Sequence, residues 1–220
     1  YTLDDDYDFD VTAGKKLVYL NFPFDYDRIG VKSIYTGGGE TNETEIQWLT
    51  IKEDKPVIDV LPYENALNTE ALFGEFTVLD VNGDGKTWGF DATNKFAAYS
   101  YSSNNAADDW FVSPAIKLEA GKAYHIALDA ANYGYPERFE VKLGKELSAD
   151  ALTTEVIPAT DVTEKDFITY ENEQVTVPET GYYYIGIHAI SDPDEFKLFV
   201  KNFVVEAGLD PAAPAAVDNF

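Results

Sequence analysis

Apolar and polar residues alternate with period two along most of the chain, the pattern of strands that bury one face. Segments 28–35 and 45–51 read this way, as do 74–79, 124–128, 138–143, 174–177, 181–190 and 196–205. A shorter apolar run, 17–20, reads as a further strand. Within 182–190, Tyr183, Ile185, Ile187 and Ala189 form the apolar face, and Tyr182, Tyr184, Gly186 and His188 the other. Turn residues separate the strands: Gly37-Gly38-Gly39, Asn82-Gly83-Asp84-Gly85, Ala120-Gly121 and Pro178-Glu179-Thr180-Gly181. One short stretch, 145–152, reads as helical. Many short strands with turn signals between them predict an all-β sandwich.

A charged connector that ends in proline, Lys52-Glu53-Asp54-Lys55-Pro56, divides the chain. Residues 1–55 hold three or four strands. Residues 56–207 hold eight or more, enough for a jelly-roll sandwich. Residues 208–220 read as a stiff Pro/Ala linker and the start of a following module. The chain has no initiator Met and no signal-like start, so it reads as a mature or excised segment of a larger protein.

Charge narrows the function. The 220 residues carry 16 Lys and Arg against 40 Asp and Glu, a net charge of −24 with a pI near 4.1. Phosphate binding draws on Lys and Arg, so a generic nucleic-acid role is excluded and docking on anionic lipid is disfavoured. With 45% hydrophobic and 15% aromatic residues the chain can still build a core. The absence of cysteine removes disulfides, thiolate nucleophiles and cysteine metal sites. No uncharged apolar run reaches the ~18 residues that a membrane span needs.

The chemistry concentrates in residues 80–91. Oxygen-bearing Asp80, Asn82 and Asp84 fall at loop positions 1, 3 and 5, Gly85 at 6 and Asp91 at 12. Alternate side chains of a tight loop can face one centre, and calcium takes six to eight oxygens. With the Lys86 carbonyl, these residues make a candidate calcium site. A strand precedes the loop where an EF-hand would have a helix. The bland alternative is an acidic Asn-Gly/Asp-Gly turn without metal. The Gly85-Lys86-Thr87 sequence is not a phosphate loop, because Asp80 stands where that motif needs its first glycine.

Two other groups of residues are candidates. Tyr133 and Tyr135 flank Gly134 in a loop, and Tyr99 and Tyr101 alternate in another polar stretch. Such rings either stack on sugars or cap the ends of the core. His125 and His188 have no catalytic partner in sequence and read as structural. No Gly-x-Ser-x-Gly elbow, His-Glu-x-x-His motif or distinct carboxylate pair marks an enzyme. The acidic run Asp4-Asp5-Asp6 with Asp8 and Asp10 reads as a solvated strand edge, with a second calcium site as a weaker reading.

Five blocks in order resemble the cleaved-adhesin family, also called choice-of-anchor J domains. They are Val60-Leu61-Pro62-Tyr63-Glu64-Asn65, Asp80-Val81-Asn82-Gly83-Asp84-Gly85 with Trp88, Asp109-Trp110-Phe111-Val112-Ser113-Pro114, Tyr183-Tyr184-Ile185-Gly186-Ile187-His188-Ala189 and Leu198-Phe199-Val200-Lys201-Asn202-Phe203. The resemblance implies a jelly roll like the haemagglutinin modules of gingipains, from surface or secreted proteins of Gram-negative bacteria. It implies a non-catalytic adhesion or ligand-binding module with structural calcium, presented to a glycan or host surface protein beside neighbouring modules of the same chain. The family usually has Asp-Asn in the last strand; here Lys201 precedes Asn202, which implies a lost or rearranged metal site. Residues 12–51 resemble the C-terminal half of a fibronectin type III domain. Thr12-Ala13-Gly14-Lys15-Lys16 matches the turn before strand F, 28–35 strand F and 43–51 strand G. Strands A to C are missing, so this piece is a truncated domain or a smaller sandwich. The rival functions are a structural spacer in a multimodular protein and, with less support, a glycan-active enzyme.

Overall fold

The structure is a computed structural model that describes residues 28–32, 34–37, 40–50 and 55–209. The chain divides into two compact units between Asp54 and Lys55. In the first unit β1 (Arg28–Val31) pairs antiparallel with β4 (Gln47–Thr50), and β2 (Ile34–Gly37) with β3 (Glu40–Glu43). Gly37 lies opposite Glu40 at the end of this pair. Gly30 lies opposite Trp48, and a Cβ there would come within 2.8 Å of Ile46 and 2.9 Å of the indole, so the Ile46 and Trp48 side chains would have to shift. The strand expected at 17–20, the acidic run Asp4–Asp10 and the turn at 12–16 lie outside the described residues. So do 210–220 of the linker.

The second unit is a sandwich of two sheets. Its strands begin with β5 (Val57–Ile58), β6 (Tyr63–Asn65), β7 (Thr77–Asp80), β8 (Trp88–Asp91), β9 (Phe96–Ser100), β10 (Asp109–Val112) and β11 (Ala115–Leu118). The longer strands follow: β12 (Ala123–Asn132), β13 (Glu137–Gly144), β14 (Thr154–Val162), β15 (Ile168–Thr176), β16 (Gly181–Ala189) and β17 (Lys197–Ala207). One sheet has the order β14-β13-β16-β10-β7, with β11 on β16 and β5 on β11. The other has the order β15-β12-β17-β9-β8, with β6 on β17. All pairs in this unit are antiparallel except β5 with β11. Most connections cross from sheet to sheet, as in a jelly roll, while β8–β9, β10–β11 and β13–β14 stay within one sheet.

Period-two burial confirms the pattern read on β16: Tyr183, Ile185, Ile187 and Ala189 are buried, while Tyr182 is 44% exposed. Phe111 stacks on Phe76 at 4.5 Å, Phe73 at 4.8 Å and Trp88 at 5.5 Å, so four rings from three segments meet at one point of the core. Small apolar clusters also cover each outer face, Phe199 with Ala98 and Ala131 on one and Trp110 with Val112 and Leu152 on the other.

Helix falls elsewhere than expected. The stretch 145–152 yields a single 3-10 turn, Ala149–Ala151. A short α1 (Glu70–Gly74) precedes β7, started by Thr69, whose hydroxyl accepts the Leu72 N–H at 3.2 Å. Five residues are too few to show a helical period, so the extended reading of 74–79 holds only from Thr77.

Candidate functional site

The loop between β7 and β8 folds as a series of side-chain-capped turns. Asp80 Oδ1 accepts the Gly83 N–H at 2.7 Å and Oδ2 the Gly85 N–H at 2.9 Å. Asn82 Oδ1 accepts from Asp84 N at 3.0 Å, and Asp84 Oδ1 from Lys86 N at 2.8 Å. Short oxygen-bearing side chains bond their own backbone in this way, and Gly83 and Gly85 take the left-handed φ values of 68° and 73° that the turns need. The loop is then tied to a neighbour. Asn82 Nδ2 donates to the Ala106 carbonyl at 2.9 Å, and Asn105 Nδ2 to Asp84 Oδ2 at 3.1 Å.

Asp109 lies beside this loop and escaped the sequence reading. It pairs in register with Asp80 across β7 and β10. It is 0% exposed, and its Oδ1 has no hydrogen-bond partner. The buried Thr87 hydroxyl lies beside this carboxyl and acts to lower its pKa. Burial, with the charges of Asp80 and Asp84 adding to it, pushes the Asp109 carboxyl up to about 6. A buried carboxyl with two further carboxylates nearby gains most from a proton or a neighbouring positive charge. Asp80, Asn82 and Asp84 carry the oxygen donors a hard cation takes, while Asp109 adds negative charge beside them without converging on one point with both.

Asp91 does not join them. It ends β8, and its Oδ1 accepts from Thr93 N at 3.0 Å and Asn94 N at 2.9 Å. The Asn94 side chain and these amides hold its carboxyl below the usual range. Position 12 of the expected loop thus caps the next turn. Among the described residues no three acidic or histidine side chains converge as a metal cluster, so any ion here also needs amide and backbone oxygens.

The structure separates the four tyrosines. Tyr99 is 1% exposed and packs against Trp88 at 5.9 Å on the core side of β9, out of a ligand's reach. Tyr101 follows the strand, half-buried against Phe196 at 5.1 Å. Tyr133 and Tyr135 are 62% and 58% exposed. They rest on the same ring, Tyr133 at 4.9 Å and Tyr135 at 6.5 Å from Phe196. Phe196 is therefore the centre of an aromatic platform, and it was missed because only the packing shows three tyrosines meeting there. Lys197 Nζ lies 5.8 Å from that ring centre. Lys201 sits over Phe167 at 4.1 Å, while the adjacent Asn202 donates to Asp129 Oδ2 at 2.7 Å.

Each histidine is held between two carboxylates. His125 meets Glu206 at 2.9 Å and Glu171 at 3.0 Å, and His188 meets Glu140 at 2.9 Å and Asp108 at 2.8 Å. His188 also stacks on Trp110 with ring centres 3.9 Å apart. Both rings clip neighbouring segments together. Hydrogen bonding to Glu206, then to Glu171, raises the His125 pKa above 6.5. A raised histidine pKa stabilises the fold below pH 6.5, and that stabilisation is lost as pH rises through the folded value. His125→Gln should therefore flatten the decline of stability above pH 6.5, read by urea titration at a series of pH values. An unchanged decline would refute the clip.

No protein-family model matches the chain, and no curated protein does. Solved structures do. The K1 cleaved adhesin domain of Lys-gingipain from Porphyromonas gingivalis W83 aligns over 68% of this chain and 100% of its own length, with 12% identity and a TM-score of 0.51. The K2 cleaved adhesin domain of Lys-gingipain aligns over 66% and 99%, with 16% identity and a TM-score of 0.50. The CBM22-1 xylan-binding domain of Paenibacillus barcinonensis Xyn10C also matches, over 69% and 97%, at 8% identity and a TM-score of 0.49. The chain shares the fold of the cleaved adhesin domains. Among the described residues no helix is long and apolar enough to cross a membrane.

Proposed function

We propose that this chain contains a non-catalytic binding module of a secreted or cell-surface bacterial protein, and that its ligand is a glycan held on Tyr133 and Tyr135. The observation that carries this reading is the pair of exposed rings seated on Phe196. Tyrosine offers an apolar face for the C–H side of a sugar ring and a hydroxyl for its rim. The underlying Phe196 holds the rings in place before binding, which limits the entropy lost on association. Calcium serves as a structural ion in this reading, held at the loop by Asp80, Asn82 and Asp84 together with backbone oxygens. It would neutralise carboxylates that otherwise repel one another.

Affinity electrophoresis in soluble xylan, mixed-linkage β-glucan and galactomannan tests the reading. Retardation by at least one polymer is expected. Tyr133→Ala and Tyr135→Ala should each weaken it about tenfold, or about 1.4 kcal/mol. No retardation would leave the spacer role as the better account. Cleavage of the polymers during incubation would overturn the non-catalytic assignment.

A further inference from the structure

Glu137 opens β13 two residues after Tyr135, and it is 1% exposed. Its Oε2 accepts the Ser191 hydroxyl at 2.6 Å, and its Oε1 accepts the Phe196 N–H at 2.8 Å. Ser191 Oγ accepts the Arg138 N–H at 2.9 Å. Phe196 is tied on its other side too. Its carbonyl accepts from Tyr101 N at 3.2 Å, and the Lys197 carbonyl accepts from Tyr133 N at 3.2 Å. Three segments that carry the platform's rings thus join at the backbone of Phe196 and Lys197, and Glu137 is the buried group that fixes the Phe196 amide. Burial pushes the Glu137 carboxyl above its ordinary range, so this contact carries a desolvation cost. An apolar side chain of similar volume would avoid that cost, but it would release the amide.

We infer that Glu137 is a positioning residue for the aromatic platform: by holding the Phe196 amide it sets the ring on which Tyr133 and Tyr135 rest. Side chains that lock the groups of a binding surface govern affinity without touching the ligand. The inference rests on the reading of Tyr133 and Tyr135 as the ligand surface.

Three variants of the chain test it in the same xylan, mixed-linkage β-glucan and galactomannan gels. Glu137→Ala should lose about tenfold or more in affinity. Glu137→Gln should stay within about threefold, since its amide oxygen still accepts from Phe196 and its NH2 can donate to Ser191 Oγ. Val141→Ala truncates a fully buried core residue of the same strand and should also stay within about threefold while its melting midpoint falls. Glu137→Ala binding like the wild type, or Val141→Ala losing as much, would overturn the inference. If Glu137→Ala does not fold, Ser191→Ala removes one donor to the carboxylate and should lose about threefold to tenfold; no loss would count against Glu137. If the wild type binds none of the polymers, the binding reading fails by itself. Amide exchange then decides: the Phe196 N–H should exchange about tenfold faster in Glu137→Ala and unchanged in Val141→Ala, and equal rates in Glu137→Ala and wild type would refute the positioning role.

Discussion

Phe111→Ala should lower the stability of the second unit by about 3–5 kcal/mol, the range for a buried Phe cut to Ala. Phe111 is 0% exposed, and three rings lie within stacking distance of it. Truncation removes the transfer energy of the ring and leaves Phe73, Phe76 and Trp88 facing a void that rigid strands cannot close. For a domain of this size the midpoint should fall by roughly 6–20 °C. Trp88 stacks directly on the lost ring, so its fluorescence reports the transition. A loss below about 1 kcal/mol would mean that the neighbouring rings repack, and that Phe111 is not the hub.

The second large effect belongs to Asp109. Its carboxyl is raised from an ordinary 3.8 to about 6, so the folded state binds this proton more tightly than the unfolded state does. The corresponding stability is full below about pH 3.8 and is lost as pH rises towards 6. A difference of that size between the two states is worth roughly 2–3 kcal/mol. In a chelator, urea titrations should show this decline over that window, and Asp109→Asn should remove it. Calcium should restore stability at pH 7, by about 2.7 kcal/mol at one hundred times its dissociation constant. Asp84→Ala should lose that gain, while Asp109→Asn should keep most of it. If calcium left the wild type unchanged, the proposed ion would be ruled out. An Asp109→Asn variant with the wild-type pH slope would rule out Asp109 as its source.

Local pattern made the sandwich legible. Alternation in β16 marks Tyr183, Ile185, Ile187 and Ala189 as core because period-two burial is a property of the strand alone. Asp80, Asn82 and Asp84 were legible for the same reason, since their turns close within a few residues. What escaped depends on register between distant strands. Asp109 reaches the loop only because β10 pairs with β7. Phe196 becomes a hub only where the β16–β17 connection crosses the loop after β12. Tyr99 and Tyr101 were grouped by alternation, but β9 ends at Ser100, so the strand's phase does not extend to Tyr101. Asp91 shows the converse. A twelve-residue spacing placed it in the loop, while its own following turn made better use of its oxygens.

The pairing of β6 with β17 fixes how this unit bears tension. Tyr63 lies opposite Val205 and Asn65 opposite Phe203, so the chain enters and leaves this ladder at the same end. Force applied through the flanking segments pulls across the strands and opens their hydrogen bonds in succession, rather than shearing all of them together. Before that, β5 can peel away, because only Val57 and Ile58 hold it to β11. The intact unit keeps its two ends close and adds little reach to a tether. Once unravelled, it pays out about 3.3–3.6 Å of chain per residue. In a string of such modules it would act as a reserve of slack and not as a rigid strut.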